Sequence, residues 1–334
     1  MSTESPESTV QSSADEHSQS YLSALRSWVG LTKDQNNLVG MLFVLPNVIV
    51  FSGFMLLPVL YAFYLSFMEW NLFLGEGTYV GLENYVTILT PLPWENNWAA
   101  LRSPTANLWW FSLRNTVIYT VGVIPLQVFG GLGVAMLLNK SIRGKGIYRA
   151  AYFMPVMLSG AASAVIWRWL FATDGVINDL LRPLGLAHNW ATDPVTALPS
   201  LMVIAIWGGI GFNMILYLAG LQNVPEELYE AARLDGATRW YRFRHVTWPC
   251  LRNTTFFVLV MAIIGAFQVF GIALAFAGGG PYYATTTVVV LIYERAFNQG
   301  AFGEAAAMSF LLFLIIFVFS YLQYKHFGAN EVDY

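Results

Sequence analysis

Residues 225–249 read "PEELYEAARLDGATRWYRFRHVTWP", and eight of these 25 residues are Asp, Glu, Lys or Arg. Only 11% of the whole chain is charged, and long uncharged runs flank this stretch on both sides. A charged segment held between two strongly apolar ones is typical of a loop that joins two membrane helices. The surrounding runs therefore decide the fold.

The chain has 334 residues, a hydrophobic content of 56% and a mean hydropathy of +0.53, which argues against a soluble protein. Six runs contain no charged residue, and each reaches or approaches the roughly 20 apolar residues of a membrane helix. Lipid cannot satisfy backbone polar groups, so the runs should be helical, and the alternating segments of a membrane barrel are absent. The sequence predicts an all-α integral membrane protein with six transmembrane helices. The six runs are Val39–Met68, Asn115–Asn139, Ala150–Trp167, Pro194–Pro225, Asn253–Tyr293 and Ala305–Tyr324.

The fifth run is too long for one helix and is interrupted by "GGGP" at 278–281. We expect one span before this break, then an outer loop with a short interfacial helix near 285–293, and a last span from about residue 304. Residues 38–327 form the six-span domain in this prediction. Residues 1–37 are Ser-rich and acidic, which predicts a disordered tail rather than a signal peptide. Residues 328–334 form a short C-terminal segment.

Lys and Arg are unevenly divided between the loops on the two sides of the predicted membrane. With the N-terminus inside, twelve of these residues lie inside and five lie outside, which is a positive-inside bias. The sequence therefore predicts a multi-pass protein of the cell membrane with both termini in the cytoplasm. The inner set is Arg26, Lys33, Lys140, Arg143, Lys145, Arg149, Arg233, Arg239, Arg242, Arg244, Arg252 and Lys325, and the outer set is Arg102, Arg114, Arg168, Arg182 and Arg295.

The charged stretch itself, within the inner loop 222–252, has the helix-starting and helix-ending residues of a helix–turn–helix. Pro225 suits a first helical position, and Gly236 can end that helix in a left-handed conformation. Thr238 can cap a second helix, which Pro249 ends or kinks. The charges alone are equally compatible with a solvated connector. The small residues near the turn favour instead a ridge that fits a groove on a partner.

This stretch resembles the EAA signature of binding-protein-dependent ATP-binding-cassette importers. Glu230, Ala231, Ala232 and Gly236 match the signature residue by residue, while Val246 and Trp248 stand where Ile and Leu are usual. In the family this loop is a cytoplasmic coupling helix that docks on the ATPase subunit. The resemblance therefore implies that these four residues couple the chain to an ATPase.

The resemblance covers most of residues 39–325 and extends to the carbohydrate-uptake branch, which includes maltose and glycerol-phosphate permeases. It rests on "VGLENYVTIL" (80–89), "GVIND" (175–179), "LAGLQNVPEELYEAA" (218–232), and "GGGP" followed by "TTT" and "IYERAF". It implies a permease subunit of an ATP-driven sugar importer. The implied partners are a second homologous permease, a dimer of ATP-binding-cassette ATPases, an extracytoplasmic sugar-binding protein and membrane lipid.

The chain lacks the G-x-x-x-x-G-K-[ST] loop that cradles nucleotide phosphates. We therefore expect no enzymatic activity and no cofactor in this chain, with ATP and magnesium bound by the partner ATPase. The four histidines show no metal-ligand spacing, so no metal is predicted, and the basic residues give no support for nucleic-acid binding. An ion-coupled secondary transporter is the alternative, although such proteins usually carry ionisable residues inside the membrane and the six runs have none.

A sugar site needs polar side chains and aromatic planes among apolar helices. Asn213 and Tyr217 share one face of the predicted fourth span. Phe267, Gln268 and Phe270 offer a similar set in the fifth. Each of these could instead serve helix packing, because isolated polar residues in membrane helices often bond a neighbouring helix. Pentoses, hexoses, disaccharides and glycerol-phosphate all remain open as the transported solute.

Overall fold

A computed structural model describes residues 33–71, 75–93, 95 and 99–327. Most of the predicted N-terminal tail, residues 1–32, and the C-terminal segment 328–334 lie outside these described residues. The first helix begins at Lys33, inside the range predicted as tail. The chain divides into one unit that ends at Ala62 and a second that begins at Phe63.

The described residues are almost entirely helical. The α-helices in chain order are α1 Lys33–Phe51, α2 Leu57–Leu65, α3 Glu83–Leu89, α4 Ala99–Arg102, α5 Leu108–Leu138, α6 Lys145–Phe153, α7 Gly160–Leu170, α8 Val176–Leu181, α9 Ala197–Gln222, α10 Glu226–Leu234, α11 Arg239–Arg242, α12 Trp248–Cys250, α13 Arg252–Phe267, α14 Gly271–Ala277, α15 Val288–Tyr293 and α16 Phe302–Phe327. A small antiparallel hairpin, which the sequence did not predict, pairs β1 Met68–Asn71 with β2 Glu76–Tyr79.

Four helical segments are long and apolar enough to cross a membrane: Gly40–Leu65, Leu108–Leu138, Ala197–Gln222 and Phe302–His326. Two further segments qualify as bent pairs, one bent by 101° between Met157 and Gly160 and one by 68° between Cys250 and Arg252. The described residues therefore hold four such helices, or six when each bent pair counts as one span. The predicted all-α membrane fold is confirmed.

The third predicted span is sharply broken in the middle. Met154–Met157 forms a 3₁₀ turn that contains Pro155, whose missing N–H weakens the helical ladder at this point. Ser159 then caps the next helix, because its side chain accepts a hydrogen bond from the Ala162 N–H at 3.2 Å. The uncharged run is therefore two helices at a steep angle rather than one straight span.

The fifth run also differs from the prediction. Its long helix ends at Phe267, well before "GGGP", and a separate helix, α14, packs against α7. The segment expected at the membrane interface, α15, is instead buried, with Val288 and Leu291 at 0% and 1% exposure. Thr116 on α5 accepts a hydrogen bond from the Val288 N–H at 3.0 Å, which fixes the start of α15 against the bundle.

Helices α5, α9 and α13 form the main core of the second unit, and glycines allow them to pack closely. A side chain at Gly131 would place its Cβ 2.6 Å from the Cβ of Asn213. A side chain at Gly220 would place its Cβ 2.5 Å from the Thr254 Oγ1. Small residues at such contacts are the usual means by which membrane helices pack, since they let two backbones come near.

Candidate coupling hairpin and transport cavity

The charged stretch folds as two short helices joined at Gly236. The sequence predicted Pro225 as the first helical residue. In the structure Pro225 is the N-cap, and α10 begins one residue later, at Glu226. The Ala237 N–H donates to the Ala232 carbonyl at 2.9 Å, and the Gly236 N–H donates to the Arg233 carbonyl at 3.1 Å. These two bonds form a Schellman motif, which requires the left-handed conformation that Gly236 adopts with a φ of +74°.

The second arm is capped as predicted and is tied to the first. The Thr238 side chain accepts a hydrogen bond from the Tyr241 N–H at 3.3 Å. A hydrogen bond of 2.9 Å joins the hydroxyls of Tyr229 and Thr247 across the two arms. The bend before α13 falls at Leu251 rather than at Pro249 itself. The two arms and their turn thus form one connected hairpin, residues 225–250.

The hairpin contacts the membrane helix α5 through an aromatic pair. The Trp248 ring, at the end of the hairpin, stacks with the Phe129 ring of α5 at 6.5 Å between centroids. Trp248 also contacts Phe243 within the hairpin, with centroids 6.2 Å apart. Aromatic pairs at these distances contribute stabilisation beyond their buried area. Displacement of the hairpin would therefore act on α5 through this stack.

The signature residues lie on the solvent-exposed surface of the hairpin. Glu230, Ala231 and Gly236 are exposed, and Ala232 is half-buried. Leu234, one helical turn after Glu230, is 89% exposed, although it is a large apolar side chain. From the sequence, Leu234 was placed with Leu228 and Ala231 on an apolar side apart from Glu230. The available signal was an apolar residue four positions after Glu230, on the side of the helix that presents the signature.

A separate cavity of about 200 Å³ lies between α5, α9 and α13. Its polar lining consists of Tyr119 and Gln127 from α5 and Asn213 from α9. The remaining lining residues are Val123, Gly209, Phe212, Met261, Ala262, Gly265 and Ala266. A few polar groups on mostly apolar walls are the usual composition of a small-molecule site.

Asn213 is the one predicted substrate residue among those that line this cavity. Tyr217 lies one turn further along α9 and is fully buried in the helix core. Its hydroxyl faces that of Thr255, and neither hydroxyl meets the geometry of a hydrogen bond. Tyr217 therefore packs between helices here, as the alternative interpretation of isolated polar residues allowed.

The three predicted residues from the fifth run do not join this cavity. Phe267 is buried against Phe319 of α16, with ring centroids 5.6 Å apart, and Phe270 lies 5.2 Å from the Tyr293 ring. Gln268 is exposed and follows the last residue of α13. Because the helix ends at Phe267, helical spacing no longer relates these three side chains to one face.

Gln127 and Tyr119 are the polar cavity residues that sequence reasoning missed. The Gln127 Nε2 donates to the Ala205 carbonyl at 2.7 Å, and a side chain at Gly209 would collide with its amide group. The signal in the sequence was a glutamine inside the charge-free run Asn115–Asn139. No spacing rule connected it to Asn213, because the two residues lie on different helices.

Comparison with known proteins gives a family and several relatives. The family described as binding-protein-dependent transport system inner membrane component matches residues 108–328. The probable ABC transporter permease protein YurN of Bacillus subtilis is 33% identical over 306 residues, covering 90% of this chain and 99% of YurN. The trehalose/maltose transport system permease protein MalF of Thermococcus litoralis is 32% identical, covering 86% of this chain and 92% of MalF.

The fold also matches a solved structure of a bacterial alginate ABC transporter in complex with an alginate pentasaccharide-bound periplasmic protein. The TM-score is 0.71 at 22% sequence identity, and the match covers 90% of this chain and 96% of that one. At this identity the likeness concerns the fold.

Proposed function

The chain belongs to the family of inner membrane components of binding-protein-dependent transport systems, and we propose that it is a permease subunit of an ATP-driven carbohydrate importer. Together with a second homologous permease it encloses the path of the solute. A dimer of ATP-binding-cassette ATPases binds ATP and magnesium and supplies the energy. An extracytoplasmic sugar-binding protein delivers the solute to the outer face.

The observation that carries this proposal is the exposed hairpin at residues 225–250. It presents Glu230 and Leu234 on one side of a short helix that ends in a fixed turn. An 89% exposed Leu is unfavourable in water and becomes favourable when a partner covers it, by about 1.5–3 kcal/mol for full burial. Glu230 would accept a charge-assisted hydrogen bond from the same partner. This pattern suits a groove on an ATPase better than open solvent.

The cavity between α5, α9 and α13 would form part of the solute path. Gln127, Asn213 and Tyr119 offer hydrogen-bonding groups to sugar hydroxyls, and Gly265 leaves room beside the backbone. The relatives named for trehalose/maltose and alginate transport support a carbohydrate as the solute class.

The link between hairpin and cavity suggests how ATP hydrolysis would act on the solute. The Trp248–Phe129 stack joins the hairpin to α5, which also carries Gln127 and Tyr119. When the two ATPases close, they would move the paired hairpins and shift α5 with them. Alternating access then follows if hairpin and helices move as rigid bodies, in the manner of other transporters that rock or hinge.

Reconstitution tests this proposal directly. The chain, co-expressed with the second permease and the ATPase, should give one detergent-stable complex that takes up sugar into vesicles only with ATP and binding protein. Expressed alone, the chain should be poorly stable, because a surface made for another permease would face lipid. Uptake by the chain alone, driven by a proton or sodium gradient without ATP, would establish the ion-coupled alternative instead.

Orientation is a further expectation of the proposal. Reporter fusions after Lys140 and after Arg239 should report the cytoplasm, and a fusion after Gly279 should report the exterior. The physical reason is the excess of Lys and Arg in the first two segments. Placement of any of the three on the opposite side would contradict the proposed arrangement of six spans with cytoplasmic termini.

A further inference from the structure

A second, larger cavity of about 470 Å³ lies on the hairpin side of the bundle, between the end of α5 and the hairpin. The end of α5 contributes Met136, and Asn139 and Lys140 follow it. Leu221 comes from the end of α9. The hairpin contributes Tyr229, Arg239, Arg242, Phe243 and Thr247. The volume is in the usual range for a site that binds a small molecule or a headgroup.

The charge of this cavity is uniformly positive. Lys140, Arg239 and Arg242 line it, and none of its lining residues is acidic. Within the described part of the chain no ion pair reaches these three cations. The Nε of Arg242 is also buried without a hydrogen-bond partner. Because an unpaired buried donor is costly, this N–H favours an acceptor from outside the chain.

The remaining lining defines the chemistry of that acceptor. Met136, Leu221 and Phe243 give the cavity an apolar wall beside its cations, while Asn139 and Thr247 offer neutral hydrogen-bonding groups. Met136 and Leu221 lie near the ends of two uncharged runs, so this part of the wall lies where membrane helices leave the lipid. A phosphate joined to hydrocarbon satisfies both parts of this lining at once. An acidic side chain of a protein partner would satisfy the cations only.

We propose that this cavity binds the phosphate headgroup of an anionic phospholipid from the adjacent leaflet. Arg242 and Arg239 hold the phosphate, Lys140 closes the site from the end of α5, and an acyl chain lies along Met136 and Phe243. The bound lipid joins the end of α5 to the hairpin and so adds a second connection beside the Trp248–Phe129 stack. It would therefore stabilise the hairpin in one position relative to the membrane helices.

The test uses the assembled transporter in detergent, stripped of lipid and then titrated with phosphatidylglycerol or phosphatidylcholine. Native mass spectrometry counts the lipid retained. We expect tight retention of phosphatidylglycerol only. The double variant Lys140→Gln/Arg239→Gln should bind it about 25-fold more weakly, since one basic residue near an anionic headgroup contributes about fivefold. The double variant Arg143→Gln/Arg244→Gln removes two exposed cations that do not line the cavity and should bind as the wild type does.

Equal retention by both double variants would refute the site. Loss of the ATPase from the lipid-free complex in Lys140→Gln/Arg239→Gln alone would show that the cations meet an acidic partner protein, which also overturns the proposal. Inorganic phosphate provides the third arm. If it competes for the site as well as phosphatidylglycerol does, the cavity is a free phosphate site and the apolar wall plays no part. Each of these readouts is independent of which solute is transported.

Discussion

Gly236→Val is expected to abolish most ATP-driven uptake while leaving the membrane helices folded. Gly236 holds a φ of +74°, and a Cβ built there meets no atom within 4 Å. The defect is therefore purely conformational, because a β-branched side chain strongly disfavours the left-handed region. Such strain costs about 1–3 kcal/mol. The Schellman turn relieves it by opening, which moves α11 relative to α10 and spoils the surface offered to the ATPase.

The loss of docking should then amount to about 5- to 150-fold in affinity, at tenfold for each 1.4 kcal/mol. Co-purification of the ATPase and sugar uptake in vesicles are the two measurements. Gly144→Val is the matched control. Gly144 also has a positive φ, at +77°, and a Cβ there would meet only Tyr148 Cε2, at an ordinary contact distance of 4.0 Å, but it lies between α5 and α6 and outside the hairpin. If both variants lost the ATPase equally, the loss would follow from backbone strain in any loop, and the hairpin would have no specific role in docking.

The hairpin was predictable because its signals are local. The Gly236 turn and the Thr238 cap each depend on one residue and its immediate neighbours, and both form as expected. The membrane helices were predictable for a similar reason, since a long charge-free run is itself the physical requirement for crossing lipid. In both cases the sequence contains the whole cause.

The break at Pro155 and the early end of α13 at Phe267 were not predicted, because both lie inside uncharged runs. Hydropathy is insensitive to the direction of a helix within lipid, so a run that bends by 101° reads like a straight one. Pro155 was a visible cause. Its effect on direction depends, however, on how the neighbouring helices resatisfy the backbone, which is a tertiary property.

The cavity was the least predictable feature. It brings together Gln127 on α5 and Asn213 on α9, which no periodicity relates. Tyr217 shares a helix face with Asn213, yet it packs in the core because α13 covers that end of the face. A pattern on one helix identifies a face. Whether the face meets a cavity or another helix is decided by packing.

The same cavity gives the second large expected effect. Gly265→Leu should lower sugar uptake by about 5- to 150-fold, because a solute that enters beside the new leucine would overfill the cavity at a cost of about 1–3 kcal/mol. Gly265 lines the cavity, and a Cβ placed there meets no atom within 4 Å, so the added side chain has room to project into the cavity. Replacing a helical glycine also favours the helix by up to about 1 kcal/mol, so misfolding is not expected.

Uptake, ATPase co-purification and solute-stimulated ATP hydrolysis should be measured together on the reconstituted complex. Gly133→Leu is the control, because Gly133 also sits in a membrane helix with open space at its Cβ but does not line the cavity. We expect Gly265→Leu to retain the ATPase and lose uptake, and Gly133→Leu to retain both. If Gly265→Leu transports normally, the solute does not pass this cavity, and the polar set of Gln127, Asn213 and Tyr119 serves helix packing alone. The coupling hairpin would stand unaffected by that result, since its test reads docking of the ATPase rather than passage of the sugar.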